Sequence, residues 1–437
     1  MRTLTRMVPL LCWPVLIGAA STQPASMPAP AVPAPSEPAP SDAATSAPAM
    51  SGFAVSAPAV PAPDALAADK PTAALLAAMS LEQKVGQLFL ISVVGRDVPR
   101  PSSAEVLRQV PVGGIILFSY NLRGGPAKVA ALDASLQEIA RTTGAGVPYL
   151  IAVDQEGGRV QRLQRGFTRL PAPRILGALP NDQLDALAHA VARQLLAVGV
   201  NMNLAPVVEA SAGETDVIGD RGFATSATAA APKAAAFIAG TQRAGVLATA
   251  KHFPGNAGSE VDPHRAMPTL SLDNDAIEAQ LLPPFRAAIA AGVDAIMVSH
   301  VEISALDADR PVALSPVVVQ GLLRGQLGFT GLVCSDDLLM GAVVEKFDPA
   351  EAAILAVLAG TDLLMVSNPN VVPALHAAVV NAVRDGRIPE DQVDAAVQRQ
   401  LLMKQRRGLW ESADRLRQGD SLGDLRKARR EAERILK

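Results

Sequence analysis

Eight apolar runs of strand length recur along the chain, at 87–94, 114–118, 148–153, 200–206, 247–252, 295–301, 331–335 and 362–366. A strand that is apolar on both sides has to be covered on both sides. The segments between the runs supply the covers: 127–141, 182–197, 229–244, 275–291, 315–327 and 350–359 carry apolar residues at helical spacing. Strands separated by helices pair in parallel, because the crossover returns each strand in the same direction. Eight such units in one domain predict the α/β class and a (β/α)8 barrel of the TIM type. An open doubly wound sheet is the competing arrangement, but no glycine-rich phosphate loop follows the first run.

A barrel of this kind places its chemistry at the carboxyl ends of its strands. Polar residues gather there. Asp154 and Glu156 follow the third run and Glu209 the fourth; Lys251 and His252 end the fifth. Ser299 and His300 close the sixth, and Ser335-Asp336-Asp337 ends the seventh. One acid after a buried strand often caps the next helix. Two in a row allow one to cap while the other points into the barrel mouth.

The stretch from Lys251 to His264 is the densest in titratable groups. A chain with 5 His in 437 residues spends two of them here, in a loop too rich in Gly and Pro for regular structure. In Asp262-Pro263-His264 an acid stands two residues from an imidazole. The carboxylate can accept from one ring nitrogen, fix the tautomer and leave the other nitrogen to exchange protons; a surface loop with a local hydrogen bond is the plainer reading. Zinc ligation by His252, Asp262 and His264 is disfavoured, since the spacing lacks the usual helical His pair or Cys pairs. Asp154-Gln155-Glu156-Gly157-Gly158-Arg159-Val160-Gln161-Arg162 and Asp220-Arg221 offer acceptors and fork-shaped donors suited to a polyhydroxylated ligand, or structural ion pairs.

The motifs taken in order resemble the family 3 glycoside hydrolases, in particular the single-domain bacterial β-N-acetylhexosaminidases. The matching pieces are Val153–Val160, Asn203-Leu204-Ala205-Pro206-Val207, Gly219-Asp220-Arg221, Lys251-His252-Phe253-Pro254-Gly255, Asp262-Pro263-His264 and Ser335-Asp336-Asp337-Leu338, within about residues 73 to 410. The resemblance implies Asp336 as nucleophile, His264 as general acid/base with Asp262 as its partner, and Asp154, Arg162, Arg221, Lys251 and His252 as sugar-binding residues. It implies an exo-acting, retaining β-N-acetylglucosaminidase with no metal or organic cofactor, acting on small GlcNAc-terminated glycosides such as peptidoglycan-derived muropeptides. A phosphorylase or β-glucosidase on the same scaffold, and a non-catalytic wall-binding protein, are the alternatives. The chain departs from the family in Asn256-Ala257-Gly258, where His-Gly-Asp is usual, and in Glu209, where Asp is commoner. Relatives of this size are usually cytosolic, whereas this chain carries an export-type leader.

Outside the barrel, Arg2 and Arg6 precede the apolar stretch 8–17 and the small residues Gly18-Ala19-Ala20, a signal-peptide pattern over 1–20. Residues 21–68 are almost entirely Ala, Pro, Ser and Val, a composition that cannot bury a core and predicts a disordered linker. The catalytic barrel is expected over 69–415, closed by a helix at 391–410, and a solvated basic helix over the terminal 416–437. With the leader gone Cys334 is the only cysteine, so no disulfide framework exists, and its apolar surroundings mark a buried small residue. The net charge of −3 gives no reason to expect nucleic acid. The expected protein is a periplasmic or secreted monomer, touching a membrane only through an uncleaved leader. Aromatic residues make up only 3% of the chain, which suits a small end-on pocket more than a long stacking groove.

Overall fold

The computed structural model describes residues 70–437, apart from 212, 214, 215, 257, 260 and 419–421. The leader and linker expected at 1–20 and 21–68 lie outside the described residues. Eight parallel strands follow one another: β1 (Phe89–Ser92), β2 (Gly114–Leu117), β3 (Leu150–Val153), β4 (Met202–Asn203), β5 (Leu247–Phe253), β6 (Ala295–Val298), β7 (Leu332–Ser335) and β8 (Leu364–Val366). Each pairs with its neighbour in sequence, β8 pairs back onto β1, and a parallel bridge between Cys334 and Leu363 closes the ring. The predicted (β/α)8 barrel is the fold.

Side chains on a strand alternate between its two faces, and here the alternation separates two cores. Leu150, Ala152, Leu247, Leu332, Cys334 and Met365 fill the barrel interior. Ile151, Val153, Val333, Ala248 and Ala250 pack outward under the helices. Burial pushes the Cys334 thiol well up, out of reach of a thiolate role.

Three local expectations change. The first strand was expected from Gln87, but Gln87 ends the helix Leu81–Gln87. Ser80 and Gln83 cap that helix reciprocally, which holds the chain helical up to the strand. The closing helix is shorter than 391–410: Glu390–Arg406 stops at Gly408, whose φ of 61° breaks it, and Leu409–Gln418 begins anew. The terminal helix Leu422–Ile435 is not simply solvated. Leu425, Ala428 and Ala432 are buried on one face, and Arg193 bonds Glu431 at 3.0 Å and also pairs with Asp424. Its cations face outward because the small Ala residues let the other face approach its neighbour.

Glu390–Arg406 lies across the amino end of the barrel. Its Lys404 is fully buried, and Nζ donates to the Gly113 carbonyl at 2.9 Å and to Gln87 Oε1 at 3.2 Å, both neutral acceptors. Burial lowers this amine from 10.5 to about 7. Between those values the unfolded chain binds a proton that the folded chain refuses, so stability rises with pH over that window. Wild-type urea midpoints are expected to climb from pH 7 to 10 by the equivalent of a few kcal/mol. Lys404→Met should flatten the climb, and an unchanged slope in the variant would assign the pH dependence elsewhere.

Candidate active site

At the carboxyl ends of the strands lies a cavity of about 410 Å³. Its lining includes all of Asp154, Arg162, Arg221, Lys251, His252, Asp262, His264 and Asp336, so the residues singled out from the sequence meet in one place. A second cavity of about 250 Å³ sits at the opposite end of the barrel, among Asp294, Phe329, Arg399 and Met403, and holds none of them.

The alternation of the strands explains who points inward. Leu332 and Cys334 face the interior, so Asp336 continues that face and Asp337 falls on the other. Asp337 Oδ1 accepts from the amides of Leu339 at 3.2 Å and Ser367 at 3.0 Å, tying the end of β7 to the end of β8. Burial holds the Asp337 carboxyl above its usual value. One acid fastens the loop while the other enters the mouth. Burial opposes ionisation of Asp336 too, but nearby His252, the Asp337 amide at 2.8 Å and Lys251 outweigh it and hold its carboxyl below the usual range. Asp336 is therefore an anion at the cavity wall.

The same parity brings in Asp154 and Glu156 after Leu150 and Ala152, and Lys251 after Leu247. Lys251 Nζ bridges Asp154 Oδ1 at 2.7 Å and Glu156 Oε1 at 2.8 Å. Glu156 also receives Nε and Nη2 of Arg221, each at 2.8 Å. Burial disfavours the charge on Glu156, yet Lys251 and Arg221 keep it far below the ordinary carboxylate range. Burial likewise works against Lys251, and Asp154 and Glu156 reverse that to hold its amine above the usual value. Arg162 Nη2 reaches Asp154 Oδ2 at 3.4 Å, while its Nε is buried with no partner among the described residues. Three cations thus face two carboxylates. The surplus donors are what a ring of sugar hydroxyls needs.

The pairing of β5 with β6 slips between Lys251 and Phe253, a bulge that lets His252 line the cavity beside Lys251. Glu209 Oε1 contacts His252 Nδ1 at 2.7 Å and accepts its backbone amide at 2.8 Å, which leaves Nε2 as the free ring nitrogen. Glu209 also accepts from the amide of Asn256, and Asn256 Oδ1 accepts from Ser299 Oγ at 2.6 Å. The sequence placed Glu156, Glu209 and Asp337 at the strand ends and marked Asn256 as a departure, but it assigned none of them a role in the site. Inward parity was a usable signal for Glu156; the others are set by contacts between separate loops.

Asp262 and His264 stand apart from this buried network. His264 Nδ1 lies 2.9 Å from Asp262 Oδ1, and their side chains are 73% and 46% exposed. Against burial, the amide and ring of His264 hold the Asp262 carboxyl below its usual value. The pair sits on a loop braced from below, where Val217 N–H donates to Ser259 O and Gly258 N–H to Asp216 Oδ2, both at 3.2 Å. His252 and His264 each have their own carboxylate, and no group of three or more His, Cys, Asp or Glu is arranged to hold a metal among the described residues.

Similarity to known proteins spans the barrel. Residues 80–402 match the glycosyl hydrolase family 3 N-terminal domain. A β-hexosaminidase of Alkalilimnicola ehrlichii is 38% identical over 308 residues, 68% of this chain and 86% of that protein. A β-hexosaminidase of Tolumonas auensis is 41% identical over 269 residues, 60% of this chain and 78% of that protein. Among solved structures, a family 3 β-N-acetylglucosaminidase of Paenibacillus sp. superposes with a TM-score of 0.73 at 40% identity, covering 76% of this chain and 63% of that one. A β-N-acetylhexosaminidase of Beutenbergia cavernae gives 0.70 at 33% identity, covering 76% and 99%.

Proposed function

Because the chain belongs to glycosyl hydrolase family 3, we propose that it is an exported, retaining β-N-acetylglucosaminidase that removes terminal GlcNAc from muropeptides or related β-glycosides. The chain is a glycoside hydrolase, and the β-hexosaminidases and β-N-acetylglucosaminidases it is similar to support N-acetylhexosaminide substrates. One observation carries the mechanism: a half-buried anionic Asp336 shares a cavity with an exposed Asp262–His264 pair. A retaining glycosidase needs a fixed nucleophile and a proton donor that reaches the leaving group and later water.

Asp336 Oδ attacks the anomeric carbon as the glycosidic C–O bond breaks. His264 Nε2 gives its proton to the departing oxygen, and Asp262 at Nδ1 supports the ring while it is charged. Water then enters from the open side. His264 takes its proton, the oxygen bonds to the anomeric carbon and the bond to Asp336 breaks. Asp154, Arg162, Arg221, Lys251 and His252 hold the hydroxyls of the ring. The export-type leader supports action outside the cytoplasm, where wall fragments are met.

Paired 4-nitrophenyl substrates test the specificity. The N-acetylglucosaminide is expected to turn over at least ~10²-fold faster than the glucoside, because a site built to bond a polar substituent rejects the analogue lacking it. Equal rates would favour a β-glucosidase, and a sugar 1-phosphate formed only in phosphate buffer would make the enzyme a phosphorylase.

A further inference from the structure

The loop that carries Asp262 and His264 is also held from the side, on the segment that follows β7. The Ala342 amide donates to the Pro263 carbonyl at 3.1 Å, and the Gly341 amide to the His264 carbonyl at 3.4 Å. Both amides belong to the first turn of the helix Gly341–Val344, where no partner exists within the helix. The loop's carbonyls satisfy those amides, and in return the helix fixes the loop's position. Pro263 is buried at this seat while the His264 ring stays open.

The seat depends on residue 341 having no side chain. A Cβ there would come within 2.6 Å of the Arg265 carbonyl oxygen, 2.8 Å of its carbon and 2.9 Å of the His264 carbonyl oxygen. These are backbone atoms with no flexible end to swing aside. Gly341 has no positive φ, so its own conformation would admit any residue. Alanine would favour this helix more than glycine does. Close approach of the loop is thus the physical reason for glycine here.

The same segment holds the nucleophile. Asp336 opens it, Asp337 pins it to the Leu339 and Ser367 amides, and the Leu338 amide donates to the Met365 carbonyl at 3.0 Å. We infer that Gly341 is a positioning residue: the segment 336–342 sets the acid/base loop at a fixed distance from Asp336, and the absence of a side chain at 341 lets the loop come down far enough for His264 to protonate the leaving group. The inference rests on the proposed role of His264.

The test uses the full chain and two substrates that differ in their need for a proton. 2,4-Dinitrophenyl β-N-acetylglucosaminide leaves unaided, whereas N,N′-diacetylchitobiose needs its departing oxygen protonated. Gly341→Ala is expected to lower kcat/KM on the disaccharide at least about tenfold, since small misplacements of a catalytic group are costly. The dinitrophenyl substrate should change by less than about twofold, even though the contact of the new Cβ with backbone lowers thermal stability. Activity on that substrate also reports that the variant is folded. His264→Ala, run alongside, should show the same selectivity at about 10²- to 10⁴-fold. Equal effects of His264→Ala on both substrates would overturn the acid/base reading itself. If His264→Ala is selective but Gly341→Ala affects both substrates alike, or neither, the positioning role of Gly341 is wrong and the acid/base reading stands.

Discussion

Asp336→Asn is expected to lower kcat/KM at least ~10⁴-fold with little change in the unfolding midpoint, the scale seen when a residue of a nucleophilic unit is removed. The amide keeps the shape of the side chain and can still accept from the Asp337 amide, now 2.8 Å from Asp336 Oδ1. It removes the charge that His252, Lys251 and that amide stabilise in the folded protein. Loss of activity with an intact fold would therefore report chemistry and not collapse of the barrel mouth. A 2-fluoro sugar that accumulates as the covalent intermediate should add its mass to the peptide containing Asp336. An adduct on Asp337, or an Asn variant within tenfold of wild type, would move the nucleophile elsewhere. Unchanged hydrolysis in Asp336→Ala would end this mechanism altogether.

Lys251→Met has the largest expected effect on stability. Lys251 is almost fully buried between Asp154 and Glu156, and its removal takes the ammonium partner away from both side chains. Breaking a buried pair from one side costs about 3–5 kcal/mol. The pH dependence has a definite sign. In the wild type the raised Lys251 contributes below 10.5 and loses its contribution as pH rises through its folded value. The depressed Glu156 contributes above 4.5 and loses its contribution as pH falls through its folded value. Without Lys251 Glu156 holds a proton more readily, so the deficit should shrink as pH falls from 7 toward 5. Urea midpoints for both proteins at the two pH values measure it. A deficit below about 1 kcal/mol, typical of exposed pairs, would mean that water screens the network. Activity should fall as well, since Lys251 lines the cavity and helps hold Asp336 ionised.

The barrel was legible because its signal is local and repeated. Apolar runs such as those at β3, β7 and β8 declare strands buried on both faces, and their spacing leaves room only for crossover helices. Strand parity then makes Asp154, Lys251 and Asp336 inward residues, a property of period two that needs no tertiary information. The terminal helix was misjudged for the opposite reason. Its composition advertises charge, while Leu425, Ala428 and Ala432 matter only once a complementary face is present to receive them. The hairpin of Gln155–Gly157 with Val160–Gln161 was likewise hidden, because strands of three and two residues carry almost no periodic signal.

By itself, then, the sequence determined the (β/α)8 fold and which residues could stand at the mouth, since both follow from hydrophobic period and position along a strand. It also marked Asp262 and His264 as a pair, because two residues on one loop need only each other. Tertiary structure decided the rest. It divided Asp336 from its neighbour Asp337: both line the cavity, but only Asp337 is tied down by the amides of Leu339 and Ser367. It gave Glu209 to His252, and it seated the His264 loop on Gly341. Apart from the local Asp337–Leu339 bond, those contacts join segments far apart in the chain, and their energies depend on distances of a few tenths of an ångström that no local pattern encodes.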